Sequence, residues 1–221
     1  MSVLDILIKY YPAFFQGLTV TLQMCGLIWS SGIILGTLLG VAMVRFPLGV
    51  GMPARLVAFL LAGVPTLVFL FWLHYPAQAM FDVVIDPFYT ATFTLAILNV
   101  FGVADLVRTA LMDFPQQYVT AAKVTGLSAK QTVLNIQLPL IARQISPGLL
   151  LLQVSMLHMT LFASLISVEE IFRVAQRINA QIYRPVEIYT ALGVFFLAVC
   201  VPVNVIAIML KNKFTRDTSE R

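Results

Sequence analysis

Charge is what this chain has least of. Asp, Glu, Lys and Arg make up 11% of its 221 residues against 60% hydrophobic residues, and the mean hydropathy is +0.92. Those values exclude an ordinary soluble domain, in which about a quarter of residues are charged. Cysteine is nearly absent. Cys25 and Cys200 both fall inside apolar runs, where a thiol behaves as a small buried hydrophobe, so neither a disulfide framework nor a metal or redox centre is expected. A Gly-rich phosphate loop is missing, so the chain is expected to hold no cofactor and no ATPase of its own. The net charge of +4 does not argue for nucleic acid, because the basic residues stand singly at the ends of apolar runs. Basic residues are also missing from Met1-Ser2-Val3-Leu4-Asp5, so the first span is expected to be retained and not cleaved as a signal.

What is present reads as an all-α integral membrane protein with about five transmembrane helices, residues 1–221 forming one domain embedded in lipid. Residues 1–13 carry Asp5, Lys9, Tyr10, Tyr11 and Pro12 and suit an interfacial segment. A first span is expected over about 14–44. Its Gly32, Gly36 and Gly40 recur every fourth residue, which either lets another helix approach closely or reflects the general glycine content of membrane helices. Spans two and three are expected over about 54–73 and 88–107, and Asp105 and Arg108 can pair at i,i+3 at the end of the third.

A fourth span is expected over about 147–168. His158 lies near its middle, where an ionisable side chain should face a bundle or a watery cavity, as a packing residue or as part of a substrate path with Thr160 and Ser164. Those two hydroxyls could instead be satisfied on their own backbone. From Val168 to Tyr183 the residues Ile171, Val174, Ala175, Ile178 and Ile182 follow helical spacing on one face, which fits an external gate, a docking face or a connector at the outer surface. The last span is expected over about 186–210.

Between the third and fourth spans, residues 114–148 are too polar to cross a membrane. Tyr118, Ala121, Ala122 and Thr125 recur at helical spacing, Gly126 breaks that helix, and Ser128 can cap a second. Leu127, Val133, Leu134, Ile136 and Leu138 give the second an apolar stripe, and Pro139 is expected to end it. Charge supplies the topology. One side carries Arg45, Arg55, Arg108, Lys123, Lys130, Arg143, Lys211, Lys213, Arg216 and Arg221; the other carries only Lys9, Arg173, Arg177 and Arg184. The basic side is the cytoplasm, which puts the N-terminus outside, the C-terminus inside and the loop at 114–148 in the cytosol.

The loop resembles the cytoplasmic loop of the permease subunits of ATP-binding cassette importers. That family shows Glu-Ala-Ala, three residues, Gly, about nine residues, then Ile-x-Leu-Pro. This chain shows Thr120-Ala121-Ala122, Gly126 and Ile136-Gln137-Leu138-Pro139, with Thr120 where the family has Glu. Gly17-Leu18-Thr19-Val20-Thr21-Leu22, Gly63-Val64-Pro65-Thr66-Leu67-Val68 and Val168-Glu169-Glu170-Ile171 are similar to other segments of polar-amino-acid permeases, so the likeness covers nearly the whole chain.

The resemblance implies the type I importer fold and a transport subunit of the bacterial inner membrane that is not itself an enzyme. Its implied partners are a cytosolic ATP-binding cassette subunit, a second permease subunit, identical or related, and an external solute-binding protein. Thr120, Ala121, Ala122, Gly126, Leu127, Lys130, Leu138 and Pro139 would couple it to the ATPase; Pro65, His158, Thr160 and Ser164 would lie along the substrate path. A small solute is expected, by resemblance a polar or charged amino acid, with an opine, a modified amino acid or a small peptide-like solute open. Family members show Lys-Asp-Thr-Ser-like residues where this chain has His158-Met159-Thr160-Leu161, which implies a smaller share in substrate contact. The reading from another class is a secondary transporter or small channel working without ATP.

Overall fold

The computed structural model describes residues 2–219. Arg221 and the side chain of Arg216, both counted in the charge tally, lie outside it. The N-terminal helix α1 (Val3–Lys9) is opened by a capping box between Ser2 and Asp5. Helix α2 (Tyr11–Arg45) follows as the first span, and α6 (Pro87–Met112) is the other long helix of the core.

These two lie close along much of their length. Cβ atoms added at Gly36 and Gly40 would meet the Val100 and Ala104 carbonyl oxygens of α6 at 2.7 Å, and one at Gly32 would strike the Asn99 side chain. The glycine stripe is therefore a packing surface, in which the missing side chains let backbones approach. The same place holds a polar node. Asn99, fully buried, donates through Nδ2 to the Ile28 carbonyl of α2 at 2.9 Å and to Gln153 Oε1 at 3.0 Å; Gln153 Nε2 returns a bond to Asn99 Oδ1 at 3.3 Å.

The expected straight second span is broken. A π-turn (Pro47–Gly51) leads into α3 (Met52–Gly63), and α4 (Thr66–Trp72), a second π-turn (Leu73–Ala77) and α5 (Gln78–Met80) follow, with a bend of 99° between the two halves. The cause is local. Pro65 forces Val64 out of the helical region to φ −105°, ψ 125°, and Pro65 itself is extended at ψ 132°. The broken pair still runs along more than half of α6: Ala54 packs with Met43 and Ala104, while Gln78 Nε2 donates to Thr90 Oγ1 at 3.1 Å. Ala104 and Thr90 are about 21 Å apart at 1.5 Å per helical residue. Counted as one span, the pair raises the four long apolar helices among the described residues to five.

Helix α7 (Gln116–Val124) and α8 (Ala129–Thr132) then form the polar loop. The expectation that Pro139 ends the second helix is overturned. A third π-turn (Val133–Gln137) joins α8 directly to α9 (Leu138–Met159), and a 3-10 turn (Thr160–Ile166) completes one apolar helical run over 129–166. In the wider turn the Leu138 N–H reaches back to Val133 O, which accommodates the proline ring. Pro147 is tolerated by a different device: Ser146 Oγ donates at 2.8 Å to Arg143 O, the carbonyl that a residue without an N–H cannot satisfy. The fourth span therefore begins well before Pro147, where it was expected to start.

Ser167, in the left-handed region at φ 72°, reverses the chain into α10 (Ile171–Ile182), and α11 (Pro185–Ser219) closes the fold. The expected apolar face of α10 is buried at Ile171, Val174, Ala175 and Ile178. It packs with Ile6 of α1 and Ile188 and Leu192 of α11. It also lies against α2, where a Cβ on Gly17 would meet Val174 Cγ2 at 2.8 Å and Thr21 Oγ1 accepts from Ile171 N–H at 3.1 Å.

Candidate functional site

The loop at 114–148 is a knob of two capped short helices. Helix α7 ends in two crossed backbone bonds, Leu127 N–H to Ala122 O at 3.0 Å and Gly126 N–H to Lys123 O at 3.1 Å. This is the Schellman arrangement, which requires a left-handed residue after the helix, and Gly126 supplies it at φ +77°. Two residues on, Ser128 Oγ accepts from Gln131 N–H at 3.3 Å and Gln131 Oε1 accepts from Ser128 N–H at 2.9 Å, a capping box that starts α8. One helix stop and one helix start are thus encoded within six residues.

The knob stands on a hydrophobic foot. Phe114, Ala110 and Ile141 are buried together, with Tyr118, Val119, Ile136 and Leu140 packed against them. Of the proposed coupling residues, Ala122 is buried in its own helix, Leu127 is half-buried, and Thr120, Ala121, Gly126, Lys130, Leu138 and Pro139 are exposed. Thr120 Oγ1 bonds back to Gln116 O at 3.2 Å. Thr120 to Lys130 share the knob, whereas Leu138 and Pro139 lie beyond the π-turn at the root of α9. The expected apolar stripe divides: Ile136 packs on the foot and Leu127 is half-buried, while the rest does not face the chain's own core. Val133, Leu134 and Leu138 are 48–56% exposed and Val124 is 82% exposed, so this apolar surface is uncovered. The segment 114–148 contains Lys123, Lys130 and Arg143 and no Asp or Glu.

The four substrate-path candidates divide. Thr160 and Ser164 are buried, their hydroxyls donating to Leu157 O and Leu161 O at 2.7 Å, so they face the core and hold the 3-10 turn. Pro65 and His158 are exposed. His158 Nε2 lies 3.2 Å from Cys200 Sγ, and its ring is 6.1 Å from that of Phe196, so it sits at the rim between α9 and α11 with one side uncovered. Asp105 and Arg108 form the expected pair at 2.9 Å.

Polar groups that sequence reasoning passed over include the Asn99–Gln153 node and a cluster of His74, Gln78 and Thr90. In the latter, Gln78 Oε1 also accepts from Ile85 N–H at 2.8 Å and fixes the turn before α6. Amides inside apolar runs were the available signal. Glu170, in the turn before α10, is fully buried; it accepts from Phe172 N–H at 2.9 Å and Arg173 N–H at 2.7 Å. Burial pushes its carboxyl up to about 7 against those two bonds, which pull it down, and the neighbouring Glu169 adds to the rise. A cavity of about 650 Å³ opens between α2, the second π-turn and α6, but its walls, Leu27, Leu73, Phe81, Val83 and Phe93 among them, are too apolar for a zwitterion.

Comparison with known proteins bears on this geometry. The family profile for the "binding-protein-dependent transport system inner membrane component" matches residues 16–216. The octopine transport system permease protein OccM of Rhizobium radiobacter is 26% identical over 195 residues, 85% of this chain and 80% of the relative. The glutamine transport system permease protein GlnP of Escherichia coli strain K12 is 27% identical over 203 residues, 91% and 93% of the two chains. Among solved structures, a chain of an amino acid ABC transporter crystallised with histidines superposes with a TM-score of 0.83, at 21% identity, over 96% of this chain and 99% of that one.

Proposed function

The chain belongs to the family of binding-protein-dependent transport system inner membrane components, and from that premise we propose that it is the permease of an importer for polar amino acids or close derivatives. As a member it is a multi-pass inner-membrane transport subunit that works with a separate ATPase and a solute-binding protein and is not itself an enzyme. The named relatives carry glutamine and octopine, an amino acid and an amino-acid conjugate, which supports that substrate class.

The observation that carries the mechanistic part is the knob around Gly126: capped at the end of one helix and the start of the next, exposed at its tip, and continuous with an apolar helical run long enough to cross a membrane. We assign ATPase coupling to Thr120, Ala121, Ala122, Gly126, Leu127 and Lys130 within the domain 1–221, with Leu138 and Pro139 at the root. Without any carboxylate in 114–148, the knob offers Lys123 and Lys130 to its partner, so the groove it enters should be acidic or neutral at its rim. The basic tally supports a cytosolic knob, with the N-terminus outside and the C-terminus inside.

Transport requires a second permease copy or relative, because one broken span and four helices do not enclose a path. His158 and Pro65, the two exposed candidates, then face that neighbour or the path between them. An ATP-independent transporter is not favoured, since membership of this family brings an energising subunit with it. The test is reconstitution of the permease with its ATPase in vesicles. Uptake of an amino acid that needs both ATP and a solute-binding protein supports the proposal; uptake driven by an ion gradient without nucleotide refutes it.

A further inference from the structure

At the end of the bundle that carries the knob, α2, the first π-turn, α3 and α6 enclose a second cavity of about 190 Å³. Met43, Val44, Gly51, Arg55, Arg108 and Met112 line it. Its shape depends on the turn. A Cβ on Gly51 would meet Met43 O at 2.7 Å, so glycine lets the π-turn close against the end of α2 and bring Arg55 opposite Arg108.

Both guanidiniums have donors to spare. Arg55 is bonded through Nε to Gly51 O at 3.3 Å and has no carboxylate partner among the described residues. Arg108 is held on one edge by Asp105 Oδ1, through Nε at 3.2 Å and Nη2 at 2.9 Å, while Nη1 rests on the Met112 thioether at 3.0 Å, a weak acceptor that an anionic oxygen would replace. Two guanidiniums and one carboxylate leave one positive charge at the mouth. Arg45 at the end of α2 adds to the local field, and Asp113 beyond Met112 subtracts from it.

Next to this charge lies uncovered apolar surface. Met52, Leu56 and Phe59, spaced along one face of α3, are 62%, 60% and 75% exposed, and Val44 and Met112 form the cavity rim. We propose that this cavity is a binding site for an anionic phospholipid: the phosphate sits between Arg55 and Arg108, and an acyl chain lies along Met52, Leu56 and Phe59. The volume fits a headgroup phosphate and excludes a whole lipid, which must keep its chains outside. One net positive charge matches one phosphodiester, and basic pockets between helices at the membrane boundary are suited to such headgroups. The inference needs the chain to lie in a membrane and is independent of which solute it carries or which way it faces.

The test is native mass spectrometry of the purified permease–ATPase complex from vesicles holding equal phosphatidylglycerol and phosphatidylcholine. Wild type should retain phosphatidylglycerol in preference. Arg55→Gln should lower that preference about fivefold, the loss expected for one basic residue at an anionic surface, and Arg55→Lys should keep most of it. Equal retention of both lipids by wild type, or an unchanged preference in Arg55→Gln, overturns the proposal. Should the Gln variant fail to assemble, wild type labelled with a photoreactive phosphatidylglycerol decides the matter. Label in residues 43–56 and 105–112 supports the site, and label confined elsewhere refutes it. Suppression of the labelling by inorganic phosphate present before photolysis, as readily as by unlabelled phosphatidylglycerol, would mean a soluble anion, which also overturns the lipid assignment. None of these readouts passes through transport, so they stand or fall separately from the importer reading.

Discussion

Replacing Gly126 separates a backbone requirement from a packing one. A Cβ at this position meets nothing within 4 Å, so any side chain has room, but φ is +77°. An L-residue held in the left-handed region costs about 1–2 kcal/mol, which corresponds to roughly a 5–30-fold loss of the correctly bent knob. Asn tolerates this region best, Ala carries the full cost, and a β-branched Val is a genuine outlier there. Proline is worse in kind. It fixes φ near −65°, removes the Gly126 N–H bond to Lys123 O, and pushes Thr125, now at φ −80°, ψ 4°, away from its conformation. Uptake and binding-protein-stimulated ATP hydrolysis should therefore fall in the order Gly, Asn, Ala, Val, Pro, and the Pro variant should be inactive while still inserted and extractable as a folded bundle. Gly126 makes none of the contacts of the Asn99 node or the glycine stripe and a Cβ there meets open space, so thermal unfolding of the bundle should change little across the series. A Val variant that transports like wild type refutes the coupling role of this bend; a series in which every variant, Asn included, is equally dead refutes the conformational explanation.

Gly36→Ala should destabilise the bundle by about 1–3 kcal/mol in a detergent unfolding assay because its methyl collides with the Val100 carbonyl and Val103, whereas Gly26→Ala, with open space around it, should be neutral or better. Gln153→Leu leaves Asn99 Oδ1 without its buried donor, and a double-mutant cycle with Asn99→Leu should return a coupling of about 0.6 kcal/mol or more; zero coupling would contradict the geometry. Glu170 has a carboxyl raised from 4.5 to about 7 by burial, so the folded state holds its proton longer than the unfolded one. Stability is then full below about pH 4.5 and declines as pH rises through 7, and Glu170→Gln, which keeps one of the two capping oxygens and cannot ionise, should flatten that decline in melting curves. Lys130→Cys should react with an impermeant maleimide from the cytosolic side only, against little background because Cys25 and Cys200 are buried.

The sequence was most informative where a single residue type settles a local choice. Gly126 followed by Ser128 announced a stop and a start, and the period of Ile171 to Ile178 announced the apolar face that α10 buries, whereas the glycines at 32, 36 and 40 left a close helix contact and ordinary glycine content equally open until the contact with α6 was seen. It misled at prolines. Pro65 was read through and in fact breaks a span, because both it and Val64 are extended; Pro139 was read as a stop and is absorbed by a π-turn. Whether a proline breaks a helix depends on where the neighbouring carbonyls find donors, and that is set by non-local geometry and by side chains such as Ser146. The Asn99–Gln153 pairing was equally hidden, since residues 54 apart in sequence become partners only once α6 and α9 pack.

The error at Pro139 changes the mechanics. A helix that stopped there would attach the knob to the bundle through a hinge, and a displacement at Gly126 could be absorbed in the joint. Instead one helical run of 38 residues, 129–166, connects the knob to the membrane interior, a lever of about 57 Å at 1.5 Å per residue. Its far end carries Met156, Ala163 and Ile166, which pack with Met24, Ile28 and Leu95 of α2 and α6 and with Leu70 of the broken span. A tilt imposed on the knob passes through this shared core to α4, whose join to α3 is the pair of extended residues at Val64 and Pro65. This predicts where compliance lies: Pro65→Ala, which lets α3 and α4 fuse toward one straight helix, should impair solute uptake while leaving ATP hydrolysis and its stimulation through the knob largely intact. Equal loss of uptake and hydrolysis would place the hinge elsewhere.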